Sequence, residues 1–72
     1  MNIRSLAHEI GWNAVESLGV QAGTRPSYMH QIAGGHRQPS PELCRRLVAL
    51  EPRLSLQALR PDVYGPLTQQ EA

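Results

Sequence analysis

The sequence predicts an all-α domain, a small bundle of four or five helices, and three observations carry that prediction. Apolar residues recur at helical spacing, in Ile3, Leu6, Ala7 and Ile10 and again in Leu43, Leu47, Val48 and Leu50. Helix stop and start signals follow one another closely: Gly11, Gly23, Gly34-Gly35 and Pro52 as stops, Asn2, Asn13, Pro26, Ser40-Pro41 and Ser55 as starts. Finally, the stretch Val15 to Gly34 reads as two short helices meeting at a tight turn, a helix-turn-helix. In that stretch Leu18, Ala22, Met29 and Ile32 can face one another across a steep crossing. Gly19 sits where a side chain would hold the helices apart, and Gly23 where the backbone needs a positive φ.

Taken in order, Asn2 caps a first helix over Ile3 to Ile10, with Arg4, Ser5, His8 and Glu9 on its wet side and Gly11 at its end. Trp12, the only tryptophan, is expected in the core beneath the joint of the first two helices. Asn13-Ala-Val-Glu16 has capping-box spacing and is expected to start the second helix, which runs from Ala14 to Ala22. Its N-terminus is then free to meet a phosphate. Thr24 and Arg25 complete the turn, and Pro26 takes the first position of the third helix, where its missing N–H costs nothing.

Met29 and Ile32 point inward from that helix. The opposite face carries Arg25, Ser27, Tyr28, His30 and Gln31. After the loop Gly34 to Pro39, Ser40 caps a fourth helix whose buried set is Leu43, Leu47, Val48 and Leu50, with Arg45, Arg46 and Ala49 outward. Cys44 reads as a small buried hydrophobe. Ser55 caps a short turn over Leu56 to Leu59, and Leu54, Leu56 and Leu59 return to the core. Val63 and Tyr64 pack on the bundle or on a second subunit, so the domain spans 1–64 and residues 65–72 form a flexible tail.

At 72 residues the chain makes one small domain, and a domain of this size buries only about 60 % of its unfolded surface. A single cysteine allows no internal disulfide and points to a reducing compartment. No apolar run reaches the roughly 18 residues of a membrane span, and Met-Asn-Ile-Arg-Ser-Leu lacks the apolar core of a signal peptide. A cytoplasmic protein without membrane contact is expected.

Net charge is only +1, but its distribution is uneven: Arg25 to Arg46 holds four arginines and one acid, Glu42, together with His30 and His36. No carboxylate occurs between residues 17 and 41, which fits an anionic partner. All seven basic side chains other than histidine are arginine, whose fork matches phosphate and guanine edges; a GC-rich coding bias explains the missing lysine equally well. Within the helix-turn-helix, Arg25, Ser27, Tyr28, His30 and Gln31 are DNA-contact candidates. His36, Arg37 and Gln38 follow in a loop whose two glycines permit close backbone approach to phosphate.

The run P-S-Y-M-H-Q-I-A-G-G-H-R-Q-P-S-P-E-L (Pro26 to Leu43), followed by L-R-P-D-V-Y (Leu59 to Tyr64), resembles the Cro-like, YdaS-type prophage regulators and antitoxins over about residues 2 to 64. The resemblance implies a compact all-helical domain close to the DNA-binding domains of phage repressors (lambda-repressor-like). It also implies a transcriptional regulator in the cytoplasm of a bacterial cell or phage-infected host, associated with the nucleoid. By position it makes Arg25, Ser27, His30 and Gln31 the base-edge candidates and Tyr28, His36 and Arg37 the phosphate candidates. The sequence departs from the pattern at His30 (usually Ser), His36 (commonly Arg) and Tyr64 (for Trp), so the family's sequence preference does not carry over. The two histidines suggest pH-sensitive binding, a hypothesis that an unchanged affinity between about pH 6 and pH 8 removes.

Three functions are weighed. The first is a Cro-like repressor whose third helix lies in the major groove of double-stranded operator DNA, acting as a homodimer; the C-terminal segment Leu54 to Tyr64 is the favoured dimer surface and the fourth helix (Arg45, Ala49) the other candidate. The alternative is a protein-binding helix-turn-helix, an antitoxin or anti-repressor neutralising a toxin or other protein partner, compatible with the modest charge and the apolar stretch Leu54 to Leu67. The third, an enzyme, is disfavoured. His8, His30, His36, Glu9, Glu16 and Cys44 have neither catalytic nor metal-ligand spacing, and no cofactor is expected.

Overall fold

The computed structural model describes residues 1–64, which form six helices and no strand: α1 (Ile3–Ile10), α2 (Trp12–Gln21), α3 (Pro26–Ala33), α4 (Pro41–Leu50), α5 (Leu56–Leu59) and α6 (Pro61–Tyr64). The expected tail, residues 65–72, lies outside the described residues. The core is built from every helix except α6. Ile3, Leu6 and Ala7 of α1 meet Val15, Leu18 and Ala22 of the α2 segment, Met29 of α3, Cys44 and Leu47 of α4, and Leu54 and Leu59 around α5. Ile32, Leu43, Val48, Leu56 and Tyr64 pack half-buried against this cluster.

Local signals place most of the helix ends. Asn2 Oδ1 accepts from the Ser5 N–H at 2.8 Å, Ser40 Oγ from the Leu43 N–H at 3.2 Å, and Ser55 Oγ from the Ala58 N–H at 3.1 Å. Each satisfies a backbone donor that the first turn of a helix leaves unpaired. The N-terminal segment is tied to the same region: the Ser55 N–H donates to the Met1 carbonyl at 3.2 Å, and the Met1 ammonium to the Arg53 carbonyl at 3.2 Å.

Four expectations need correction. First, α2 begins at Trp12 and Asn13 does not cap it. Gly11 alone joins α1 to α2: its N–H closes α1 on the Ala7 carbonyl at 2.8 Å, and its own carbonyl accepts the first bond of α2, from Val15 N–H at 3.2 Å. One residue makes the corner because Gly11 adopts φ 89°, ψ 158°, a region closed to residues with a Cβ. Asn13 thereby falls inside the first turn, and Glu16 bonds elsewhere.

Second, Trp12 is 39 % exposed rather than in the core. It lies on the α2 strip of Trp12, Glu16 and Gly19, spaced i, i+4, i+7, and α3 crosses that strip. Third, Leu50 is 45 % exposed. It is the last residue of α4, and Glu51 then turns the chain into extended backbone. Fourth, residues 61–64 form a sixth helix where irregular chain was expected; Pro61 supplies its start. Tyr64 packs on the bundle, while Val63 stays 48 % exposed.

Candidate nucleic-acid interface

The placement of α3 follows from how α2 ends. The Gly23 N–H donates to the Val20 carbonyl at 3.0 Å and the Thr24 N–H to the Gly19 carbonyl at 2.9 Å, a Schellman motif with Gly23 at φ 90°. Two residues later α3 starts, and it crosses α2 at Gly19. A Cβ on Gly19 would collide with Cγ of Met29, whose side chain is fully buried. The close approach at Gly19 and the left-handed Gly23 are both as expected from the sequence. From α4, Arg46 Nη1 donates to the Ala22 carbonyl at 3.4 Å and braces the turn.

With Met29 inward, Ser27, His30, Gln31 and Gly34 form an exposed stripe at helical spacing along α3. Arg25 precedes the helix in extended backbone (φ −111°, ψ 153°) and is exposed. The helix ends as α2 does: Gly35 N–H donates to the Ile32 carbonyl at 3.1 Å and His36 N–H to the Gln31 carbonyl at 2.9 Å, with Gly35 at φ 81°. That second Schellman motif folds the chain back, and the Arg37 N–H also reaches the Gln31 carbonyl, at 3.3 Å. The His36 ring lies over Gly34, 3.0 Å from where a Cβ would stand. His36, Arg37 and Gln38 are exposed. All eight sequence-predicted residues thus sit on α3, just before it, or on the loop that its C-terminus throws back.

Two of the eight have side-chain partners within the protein. The half-buried Tyr28 donates its hydroxyl to the Gln38 carbonyl at 3.3 Å. Its donor hydrogen is thus used to hold the loop in the unbound chain. His30 bonds through Nε2 to Glu16 Oε2 at 2.7 Å and stacks on Trp12, ring centroids 4.5 Å apart and planes 22° from parallel. An ionised carboxylate can only accept, so Nε2 carries the hydrogen and Nδ1 is the atom left for a ligand. The absence of carboxylates from residues 17–41 did not anticipate Glu16, which α2 delivers to the α3 face from outside that window. Both side chains are partly exposed, 44 % for His30 and 38 % for Glu16, so the pair is a surface contact rather than a strong tether.

Three further side chains hold the loop after α3 and the first residue of α4. Arg60 Nη1 donates to the Pro39 carbonyl at 2.8 Å, while its Nε and Nη2 grip Asp62 at 2.9 and 2.7 Å. Cys44 Sγ also approaches the Pro39 carbonyl, at 3.8 Å, and the Tyr64 hydroxyl donates to the Pro41 carbonyl at 3.4 Å. The carbonyls of Gln38, Pro39 and Pro41 are therefore fixed from α3, α4 and the α5–α6 corner. Sequence reasoning missed Arg60 as a positioning residue. The signal was the Arg-Pro-Asp spacing, which lets a fork donor close on a carboxylate two residues on.

The electrostatics separate structural from available arginines. Arg46, Arg53 and Arg60 pair with Glu42, Glu51 and Asp62. Among the described residues Arg4, Arg25, Arg37 and Arg45 have no carboxylate partner, and two of these are interface candidates. Arg60 donating to Asp62 and Arg53 donating to Glu51 hold both carboxyls below their usual ranges. Burial raises the Cys44 thiol above its ordinary value. Among the described residues no group of three or more His, Cys, Asp or Glu side chains is placed to hold a metal ion, and no helix is long and apolar enough to cross a membrane. Comparisons with protein-family models, with curated proteins and with solved structures give no match to this chain.

Proposed function

We propose that this chain is a sequence-specific DNA-binding regulator of transcription, a Cro-like repressor that presents α3 to the major groove of operator DNA as a homodimer. The observation that carries the reading is the α2–turn–α3 unit. Gly19 seats Met29 and the Gly23 turn fixes the crossing, which leaves Arg25, Ser27 and Gln31 exposed on a helix whose own exposed face bears no acid. Gln31 suits the N6 and N7 edge of adenine, and Arg25 suits guanine, each such pair worth about 1–3 kcal/mol of discrimination. Arg37 and the backbone of the glycine turn suit phosphate, which positions a protein without reading sequence. One domain this small makes few contacts, so two copies on a near-palindrome are expected, with half-sites about 34 Å apart.

A second reading, a protein-binding module of the antitoxin or anti-repressor kind, is favoured by exposed apolar side chains away from α3. Leu50 at the end of α4 is 45 % exposed and Val63 in α6 is 48 % exposed. The same residues suit the dimer surface of the first reading.

The test is a gel-shift titration against the DNA flanking the chain's own gene, at two salt concentrations with bulk competitor. Saturable, salt-weakened binding to one near-palindromic site supports the regulator. Gln31→Ala then relaxes preference at one base position, whereas Arg37→Ala weakens all duplexes alike and lowers the salt slope by about one. No binding at either salt, with a protein partner co-purifying, favours the second reading.

A further inference from the structure

Trp12 is the bulkiest of the apolar side chains left exposed among the described residues, at 39 %. Its indole lies 4.5 Å from the His30 ring, and His30 is central in the exposed stripe Ser27–His30–Gln31–Gly34. The stack therefore carries the indole to the margin of the α3 face. Arg4 of α1 lines the same shallow groove of about 200 Å³, together with Trp12, His30, Ala33 and Gly34. Among the described residues Arg4 has no ion-pair partner.

From this placement we infer that Trp12 and Arg4 form a sequence-independent contact with the sugar–phosphate backbone beside the groove that α3 enters. This rests on the DNA-binding reading above and extends its footprint to α1 and the start of α2. The chemistry selects backbone over bases. One indole face is covered by imidazole, which leaves a single face for any stacked base. The ring's one polar atom is an N–H, which donates and has no acceptor. A lone donor beside an unpaired guanidinium matches phosphate oxygens, which accept only. The carboxylate of Glu16 is engaged by His30 Nε2 at 2.7 Å.

Trp12 is the chain's only tryptophan, so the intact protein reports on the contact directly. The probe is the duplex that the protein itself selects from a random DNA pool, with a scrambled duplex of equal length beside it. Trp12 emission should change saturably, with the midpoint of the gel shift. Trp12→Phe keeps a ring against His30 and removes the N–H; it should weaken binding to selected and scrambled duplexes alike, by about tenfold, as expected for one hydrogen bond to a charged acceptor. Arg4→Gln should lower the salt slope by about one. Both variants should melt like the parent protein. If the duplex binds while the emission stays constant and Trp12→Phe keeps parental affinity, this inference is overturned and the DNA-binding reading stands. If the parent protein binds neither duplex, the reading itself fails and takes the inference with it.

Discussion

Helices α2 and α3 end in the same way, and the two ends serve different purposes. Each closes with a Schellman motif around a left-handed glycine, Gly23 at φ 90° and Gly35 at φ 81°. After Gly23 the chain has two residues before the next helix, and Met29 pins that helix against Gly19. After Gly35 the chain runs five residues before α4, and side chains from three other places hold its carbonyls. The first turn fixes a helix by backbone geometry and one close contact. The second aims a loop, and its aim depends on residues distant in sequence. The same local code thus gives a rigid joint in one place and a tethered arm in the other.

The largest effect should come from filling the first joint. Gly19→Val places a branched side chain where Met29 now sits and should cost about 3 kcal/mol, read from the urea midpoint. A variant that unfolds at the parental midpoint would show that α2 and α3 do not approach closely there. Next come the two turn glycines. Gly23→Ala and Gly35→Ala each force a Cβ into the left-handed region and should each cost about 1 kcal/mol of stability. On the function proposed above, their effects on DNA should differ: Gly35→Ala displaces the loop bearing His36 and Arg37 and should lower affinity more than its stability loss explains, with a smaller salt slope. Equal affinities for the two variants would erase the distinction between joint and arm.

The smallest effect is acid sensitivity. Asp62 and Glu51 have folded-state pKa values below their ordinary 3.8 and 4.5 because Arg60 and Arg53 donate to them. Their contribution is therefore present above those ordinary values and is lost as pH falls through the lower folded ones. The melting temperature should decline over that acid window, and Asp62→Asn should flatten the decline. Asp62→Asn should also loosen the arm through Arg60 while sparing the joint.

The division between joint and arm also marks what could be read in the sequence. Asn2, Ser40 and Ser55 cap their helices, and Gly23 turns as expected, because a cap or a left-handed turn is decided within four or five residues. The inward positions Leu18, Ala22 and Met29 were legible from periodicity. Trp12 was misplaced because hydrophobicity alone said core, whereas the one-residue corner at Gly11 starts α2 at Trp12 and sets it at the surface against His30. Glu16 looked like half of a capping box and instead meets a histidine fourteen residues away, a pairing that only the α2–α3 crossing creates. Leu50 fits the helical period and is left exposed at the last position of α4. Arg60 lies just past the expected turn Leu56 to Leu59, and its grip on Pro39 spans twenty-one residues. What was missed depends on crossings and tertiary reach, which no local window contains.

In α3 the only fully buried side chain is Met29. Tyr28 and His30 have internal partners, but Arg25, Ser27 and Gln31 make no side-chain bond to the rest of the described protein. Those three positions can be exchanged without repacking anything beneath them. Mutational drift at these sites is therefore decoupled from folding, and a library randomised there should retain its fold in nearly every member. On the function proposed above, a lineage carrying this domain can retarget it by single substitutions, with no compensating change inside.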